Sequence, residues 1–282
     1  MNYYELSQLS ILKLINRFSK IQKDEYYLAY SGGKDSHLLY WFIKNILKDD
    51  QVKIVGLNTY REHTEILKRI QQNSDIVLHP ALKMSEIINK YGVPCFSKGQ
   101  DEIIDRYQKG NRTEYTLGRI HGTNTTKFAL NKTARTMLLN DKLPKISNKC
   151  CYYTKKLPFY NYEKQTNRKS IIGVRGSESL MRKQAYQSCL SKTGSFTPLF
   201  DFTNDMIESI YITYKIEIPS VYKYINRTGC IGCPYAHKSG NLEKELNIIT
   251  KGQYKYAMQS FQKSYDLINV DYNIDHIQLK FI

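Results

Sequence analysis

The stretch Glu25–Ser36, EYYLAYSGGKDS, decides the fold. Its first part, Glu25–Ser31, is a short apolar and aromatic run of the kind that fills a buried strand. It passes directly into Ser31-Gly32-Gly33-Lys34-Asp35-Ser36, and Lys34–Leu47 then carries HLLYWFIKNIL, the pattern of a buried helix. Two glycines between a strand and a helix let the chain turn tightly and bring backbone N–H groups close to an anion. The helix adds the partial positive charge of its N-terminus. Ser31 and Ser36 offer hydroxyls, Lys34 a full positive charge, and Asp35 a carboxylate able to help hold Mg²⁺ or to brace the loop. The competing reading is an ordinary Gly-Gly turn ahead of a helix; serines at both ends and Lys-Asp inside favour a phosphate loop. The spacing is not that of a Walker loop, which needs four residues between its first Gly and its Gly-Lys.

Outward from this loop, strand and helix alternate. Residues 1–20 read as an amphipathic helix, with Leu6, Leu9, Ile11, Leu12, Leu14, Ile15 and Phe18 at mostly helical spacing. Val52–Leu57 is expected as a second strand, followed by a helix from Glu62 to about Gln72, a strand at Ile76–Leu78 and a helix at Met84–Tyr91. This order implies βαβ units and a parallel sheet, an α/β Rossmann-like doubly wound fold. Residues 100–148 are expected as a helical insertion, and the β pattern returns at Ser170–Val174. Residues 201–217 look helical, Arg227–Tyr235 is a Gly- and Cys-bearing loop, 241–267 a polar helical segment and Asn269–Ile282 a short tail. The expected organisation is an N-terminal helix (1–21), one principal domain (22–240) and a C-terminal helical extension (241–282).

The chain has 282 residues, 41% hydrophobic and 24% charged, which is ordinary globular composition and excludes a fully disordered chain. Lys and Arg number 42 against 26 Asp and Glu, a net charge of +16. That surplus suits polyanionic partners, nucleic acid among them, and equally a solvated basic surface. The N-terminus has no basic n-region and no unbroken apolar run, so no signal peptide is expected, and no stretch approaches a membrane span. A cytoplasmic protein is expected, in which the six cysteines serve as metal ligands, catalytic thiols or buried apolar groups rather than structural disulfides.

Ser31–Ser36 resembles the SGGxDS loop of the PP-loop ATP pyrophosphatases, the adenine-nucleotide alpha-hydrolase-like superfamily. The resemblance implies a loop that holds the β- and γ-phosphates of ATP while a nucleophile attacks the α-phosphate, with Mg²⁺ as companion ion. Three later segments point to the phosphoadenosine-phosphosulfate reductase branch. Asn58-Thr59-Tyr60-Arg61-Glu62-His63-Thr64-Glu65 is similar to its D/N-T-G-x-x-x-P-E segment, with Tyr60 where the family has Gly and Thr64 where it has Pro. Polar residues at a strand's carboxyl end sit where open α/β sheets bind ligands; a plain helix start accounts for the same residues. Gly173-Val174-Arg175-Gly176-Ser177-Glu178-Ser179-Leu180-Met181-Arg182 resembles G-x-R-x-x-[EQ]-S-x-x-R. Its two arginines are placed to converge on phosphate or sulfate oxygens, with Ser179 adding a hydroxyl. A Glu178–Arg182 i,i+4 pair is the alternative and is compatible with it.

The third segment is the cysteine set, Cys150-Cys151 and Cys230-Ile231-Gly232-Cys233. Four thiols in two close pairs suffice for a [4Fe–4S] cluster or a structural zinc, and adjacent cysteines rarely chelate one zinc together. The set resembles the cluster ligands of assimilatory adenylylsulfate reductases and of sulfur-transfer enzymes in DNA phosphorothioation, and Lys155 and Pro158 match as well. Cys95 and Cys189 read as packed thiols, Cys189 being the better candidate for a substitute ligand or sulfur carrier. The chain departs from the reductases in having no cysteine after Cys233 and no Arg-rich segment there.

The expected function is therefore adenylation of an acceptor, nucleic acid in the first place, with release of pyrophosphate and iron–sulfur-assisted sulfur transfer. Lys34, Asp35, Arg175 and Arg182 are the expected catalytic residues. Ser31, Gly32, Gly33, Lys34, Asp35, Ser36, Asn58, Thr59, Gly173, Arg175 and Ser179 are expected to bind ATP. The expected metal ligands are Cys150, Cys151, Cys230 and Cys233. Lys155 and Lys156 would attract a polyanion, and a sulfur donor such as a cysteine desulfurase is the implied partner. The rivals are a sulfonucleotide reductase with a displaced thiol and a non-catalytic nucleotide or nucleic-acid binding module.

Overall fold

In the computed structural model, which describes residues 2–123 and 129–272, four strands form one parallel sheet. They are β1 (Tyr26–Tyr30), β2 (Lys53–Leu57), β3 (Ile76–Leu78) and β4 (Lys169–Ile171), in the order β3-β2-β1-β4. Leu28 of β1 lies opposite Ile54 of β2 and Ile171 of β4, which fixes the register on both sides. Side chains alternate between the two faces of a strand, and both faces here are apolar. Leu28, Tyr30, Ile54 and Ile171 join Phe18, Phe42, Ile66, Ile70 and Phe196 on one face. Tyr27 and Val55 pack with Tyr162 and Phe159 on the other. A sheet buried on both sides needs helices on both sides, and the fold is α/β, Rossmann-like, as the alternation in the sequence implies.

By contacts the chain divides into two units, each built of two segments: Met1–His79 with Pro158–Tyr222, and Pro80–Leu157 with Lys223–Ile282. The sheet lies in the first. This division follows different lines from the expected 1–21, 22–240 and 241–282. The N-terminal helix, Tyr3–Phe18, starts on an Asn2–Glu5 capping box and buries Ile11, Leu14 and Phe18 in the main core. Leu9 and Leu12 of that helix, 54% and 60% exposed, lie off the buried stripe that the sequence pattern assigned them to.

The second unit is helical among its described residues. The helix Met84–Tyr91 forms as expected, and Lys98–Gln108, Glu114–His121 and Lys132–Leu139 occupy the region expected as an insertion, where 124–128 lie outside the described residues. Their core holds Val93, Cys95, Ile103, Ile104, Ile120 and Ile146. The segment 241–267, expected as helical, forms two helices, Asn241–Ile248 and Lys251–Ile268. Thr250 starts the second with a capping box to Gln253, and a capping residue in extended geometry necessarily ends the helix before it. Of the expected tail, 273–282 lie outside the described residues. No helix among the described residues is long and apolar enough to cross a membrane.

Candidate functional site

The chain runs from β1 through β2 to β3 on one side, while β4 pairs with β1 on the other. The carboxyl ends of β1 and β4 therefore flank the point where strand order reverses, the position at which open α/β sheets bind ligands. Ser31–Gly33 leaves β1 there, and Ile172–Arg175 leaves β4 there. Gly32 has φ +69°, and a Cβ on it would stand 3.0 Å from Ile66 Cγ2 and from the Ile66 carbonyl oxygen. Both the left-handed backbone and the close approach call for glycine. Gly33 precedes the helix Lys34–Trp41 in extended geometry, with no side-chain cap, so the first-turn N–H groups are not closed by a local side chain.

Inside the loop the hydroxyls serve each other. Ser36 Oγ donates to the Gly33 carbonyl at 3.0 Å and accepts from Ser31 Oγ at 3.0 Å and Ser31 N at 3.3 Å. These bonds hold the loop's shape before any ligand arrives. Gly173 approaches from β4: a Cβ there would lie 2.9 Å from Asp35 C and from Ser36 N. The two strand ends are thus in backbone contact across the start of the helix.

That contact brings Arg175 to Asp35. Arg175 Nε and Asp35 Oδ1 are 3.0 Å apart, both side chains nearly buried. They meet as opposite charges rather than as an aligned donor and acceptor, since neither atom has an aligned hydrogen-bond partner among the described residues. Arg175 Nη1 donates to Asn204 Oδ1 at 2.7 Å and to Ser177 Oγ at 3.2 Å. Burial pushes the Asp35 carboxyl above its ordinary value, against the pull of Arg175, Arg182 and Lys34. Burial likewise pulls Lys34 down, against Asp35 and Glu208. Arg182 pairs with Glu178 one turn earlier, so the i,i+4 pair forms, yet its charge still reaches Asp35. Ser179 accepts from Arg182 N at 3.3 Å and caps the helix Leu180–Ala185. Three cations and one carboxylate thus share one electrostatic environment at the strand ends.

Asn58 and Thr59 end β2 and face their own turn. Glu62 accepts from Thr59 N at 3.0 Å, Thr59 Oγ1 at 2.5 Å and Arg61 N at 3.1 Å, while Asn58 Oδ1 accepts from Tyr60 N at 2.8 Å. Tyr60, which stands in place of the family's Gly, has φ +64°. In this structure these residues shape the turn.

Two residues at the loop carry no local sequence signal. Tyr211 Oη donates to the Lys34 carbonyl at 2.8 Å, and Lys34 N donates to Tyr222 Oη at 3.1 Å. Only long-range folding picks these two out of 24 tyrosines.

All four cysteines of the expected set lie in the second unit, within electrostatic reach of one another. Cys230–Cys233 is a tight turn closed by Cys233 N on the Cys230 carbonyl at 3.1 Å, with Gly232 at φ +67° in its third position. Glu245 accepts from Gly232 N at 2.8 Å, and Tyr265 Oη donates to the Gly232 carbonyl at 2.5 Å. Cys151 is drawn down to about 6 by its bond with Cys150 and by Lys98 and Lys155, while the same bond and burial push Cys150 up. Burial pushes Cys233 up to about 12. The donor set suits a cluster or zinc in kind and number; among the described residues no group of three or more His, Cys, Asp or Glu is placed to hold a metal ion. Cys95 is fully buried under Ser264, and Cys189 packs against the main core; burial raises both thiols.

No family model matches the chain, and no curated relative matches it. Solved structures that it resembles include phosphoadenylyl-sulfate reductase from Candida auris in a phosphate complex, at 12% identity over 78% of this chain and 87% of that one, TM-score 0.43. NH3-dependent NAD synthetase from Campylobacter jejuni, in complex with nitrate, is 15% identical over 95% and 96%, TM-score 0.38. NMN synthetase from Francisella tularensis is 12% identical over 95% and 96%, TM-score 0.37.

Proposed function

We propose that the protein is an ATP pyrophosphatase of the PP-loop type, which joins AMP to an acceptor and releases pyrophosphate. The observation that carries this reading is the Gly173 contact with Asp35 and Ser36, which sets Arg175 beside Asp35 at the start of the loop's helix, where Gly33 supplies no side-chain cap. An oxygen of the acceptor attacks the α-phosphorus, the bond to the β-phosphate oxygen breaks, and pyrophosphate leaves with its electron pair. Gly32, Gly33 and the first-turn N–H groups bind the leaving end, and Lys34, Arg175 and Arg182 offset its growing negative charge. Ser31 and Ser36 keep the loop in shape, and Asn58, Thr59 and Ser179 hold the flanking turns. Catalysis of this kind is mostly electrostatic positioning in a site already built.

Asp35 Oδ1, buried and without an aligned hydrogen-bond partner among the described residues, fits a share in Mg²⁺. Mg²⁺ is commonly held by one or two carboxylates plus substrate phosphates; it would supply charge neutralisation on the pyrophosphate.

The acceptor we propose is nucleic acid, supported by the +16 charge and by lysines beside the cysteines. Sulfur transfer at Cys150, Cys151, Cys230 and Cys233 is the second half of the proposal, supported by the gathering of four thiols in one unit. No step is routed through a cluster there. Burial of Cys95, which raises its thiol, speaks against a reductase that uses it as nucleophile; Cys189 is only half-buried, and desolvation raises its thiol too.

The test uses anaerobically purified protein, Mg²⁺ and ATP labelled at the α-phosphate, with and without DNA or RNA. Nucleic-acid-stimulated pyrophosphate formation and transfer of the labelled AMP to the nucleic acid, both abolished in Asp35→Ala, are expected. Absence of cleavage under every condition overturns adenylation and leaves a binding module. Iron, zinc and sulfide analysis of the same preparation tests the thiols: neither metal bound, in protein purified without oxygen, removes the cluster.

A further inference from the structure

The segment 214–222 is tied to the same helix that supports the phosphate loop. The helix Thr64–Asn73 presents Ile66 and Ile70 to Gly32. From the residues just before these two, one turn apart, it holds the segment: Glu65 accepts from Ser220 N and Ser220 Oγ, each at 2.5 Å, and Arg69 Nη2 donates to the Glu217 carbonyl at 2.5 Å. Arg69 is itself only 8% exposed, a buried guanidinium spent on positioning this segment. Ser220–Lys223 then makes a single 3₁₀ turn, and Tyr222 N donates to the Pro219 carbonyl at 3.1 Å. The turn delivers Tyr222 to the loop at two points. Its hydroxyl accepts the Lys34 N–H at 3.1 Å, and its ring centroid lies 4.4 Å from Lys34 Nζ.

Both groups are ones a polyphosphate needs. A helix N-terminus binds an anion through its first free N–H groups, and a lysine at that position offers its ammonium to the same anion. Here the first N–H has an oxygen acceptor already, and the ammonium rests on an aromatic face, an interaction electrostatic in origin. We infer that Tyr222 is the built-in occupant of the polyphosphate site: its hydroxyl stands in for a phosphate oxygen on Lys34 N, and entry of the nucleotide's pyrophosphate end requires Tyr222 to leave. The strap anchored by Glu65 and Arg69 sets how strongly the occupant is held. The inference rests on reading Ser31–Ser36 as a polyphosphate site, and it adds a residue that competes with the ligand rather than contacting it.

The variant Tyr222→Phe keeps the ring on Lys34 and removes only the hydroxyl acceptor. Pyrophosphate with Mg²⁺ is the probe, titrated calorimetrically into the full chain. Loss of one competing hydrogen bond is expected to tighten binding about fivefold, ~1 kcal/mol. Glu65→Gln, which weakens the anchor at Ser220, is expected to shift affinity in the same direction by less. A purely structural role for Tyr222 predicts unchanged or weaker binding. If wild type binds pyrophosphate and Tyr222→Phe binds it equally or more weakly, the competitor role is overturned while the phosphate site stands. If neither binds at millimolar concentration, the phosphate-site reading falls and the competitor role falls with it.

Discussion

Gly173→Ala is the sharpest test of how the site is assembled. An added Cβ would meet Asp35 C at 2.9 Å, Ser36 N at 2.9 Å and Asp35 O at 3.0 Å. All three are backbone atoms of one helical turn, so no side-chain rotation relieves the contact. Carbon contacts are optimal at about 3.5–4.0 Å, so the strand end and the helix must part by roughly half an ångström or more. Overpacking of that kind costs about 1–3 kcal/mol. The φ of Gly173 lies outside the left-handed region, so alanine meets no backbone penalty and the effect is purely steric. A displacement near 1 Å at a reacting centre costs about a hundredfold in rate, and roughly tenfold to a hundredfold loss of pyrophosphate release is expected here. Stability is read in urea from Trp41, the chain's one tryptophan, which lies in the first unit against Tyr214 with centroids 4.7 Å apart. Gly229→Ala is the control, since nothing lies within 4 Å of its added Cβ. If Gly173→Ala matched this control in both stability and cleavage, the strand ends would not be in the contact that the site requires.

Three further outcomes are expected. Burial first, and Arg69 second, pull His37 down to about 4 from 6.5, so the unfolded chain takes up a proton between those values that the folded chain refuses. Stability carried by neutral His37 is present above pH 6.5 and is lost as pH falls toward 4, by at most ~3 kcal/mol; His37→Gln flattens the Trp41 urea midpoint over that range, and equal slopes would refute it. Arg175→Lys loses the simultaneous reach to Asp35, Asn204 and Ser177. At ~1.5–3 kcal/mol per hydrogen bond to a charged group, pyrophosphate release falls about tenfold to a hundredfold, and wild-type rates in the lysine variant would show that charge alone suffices. Thr250→Ala removes the cap of the helix Lys251–Ile268 at ~0.5–2 kcal/mol, seen as faster amide exchange over its first turn; unchanged exchange would mean the cap contributes nothing.

The sequence by itself determined the parts whose physics is local. An apolar run, two glycines and a helical stripe lie within a dozen residues, and their order alone fixes strand, Gly-Gly turn and helix. The same locality made β2, β3 and the helix Met84–Tyr91 legible, and made Gly232 readable as the bend of a Cys-x-Gly-Cys turn. It was less informative where one pattern allowed two faces: Leu9 and Leu12 share the helical spacing of Ile11 and Leu14 but point to solvent, because burial is decided by what packs on the helix. Tertiary structure alone decided which strand neighbours β1, and so where Arg175 meets Asp35. It alone built two units from four chain segments, and it alone gathered the two cysteine pairs into one of them. Tyr222 is the extreme case: its hydroxyl meets Lys34 N across 188 residues of sequence. No period or propensity encodes that meeting, which depends on Glu65 and Arg69 anchoring a strap to the helix beneath the loop.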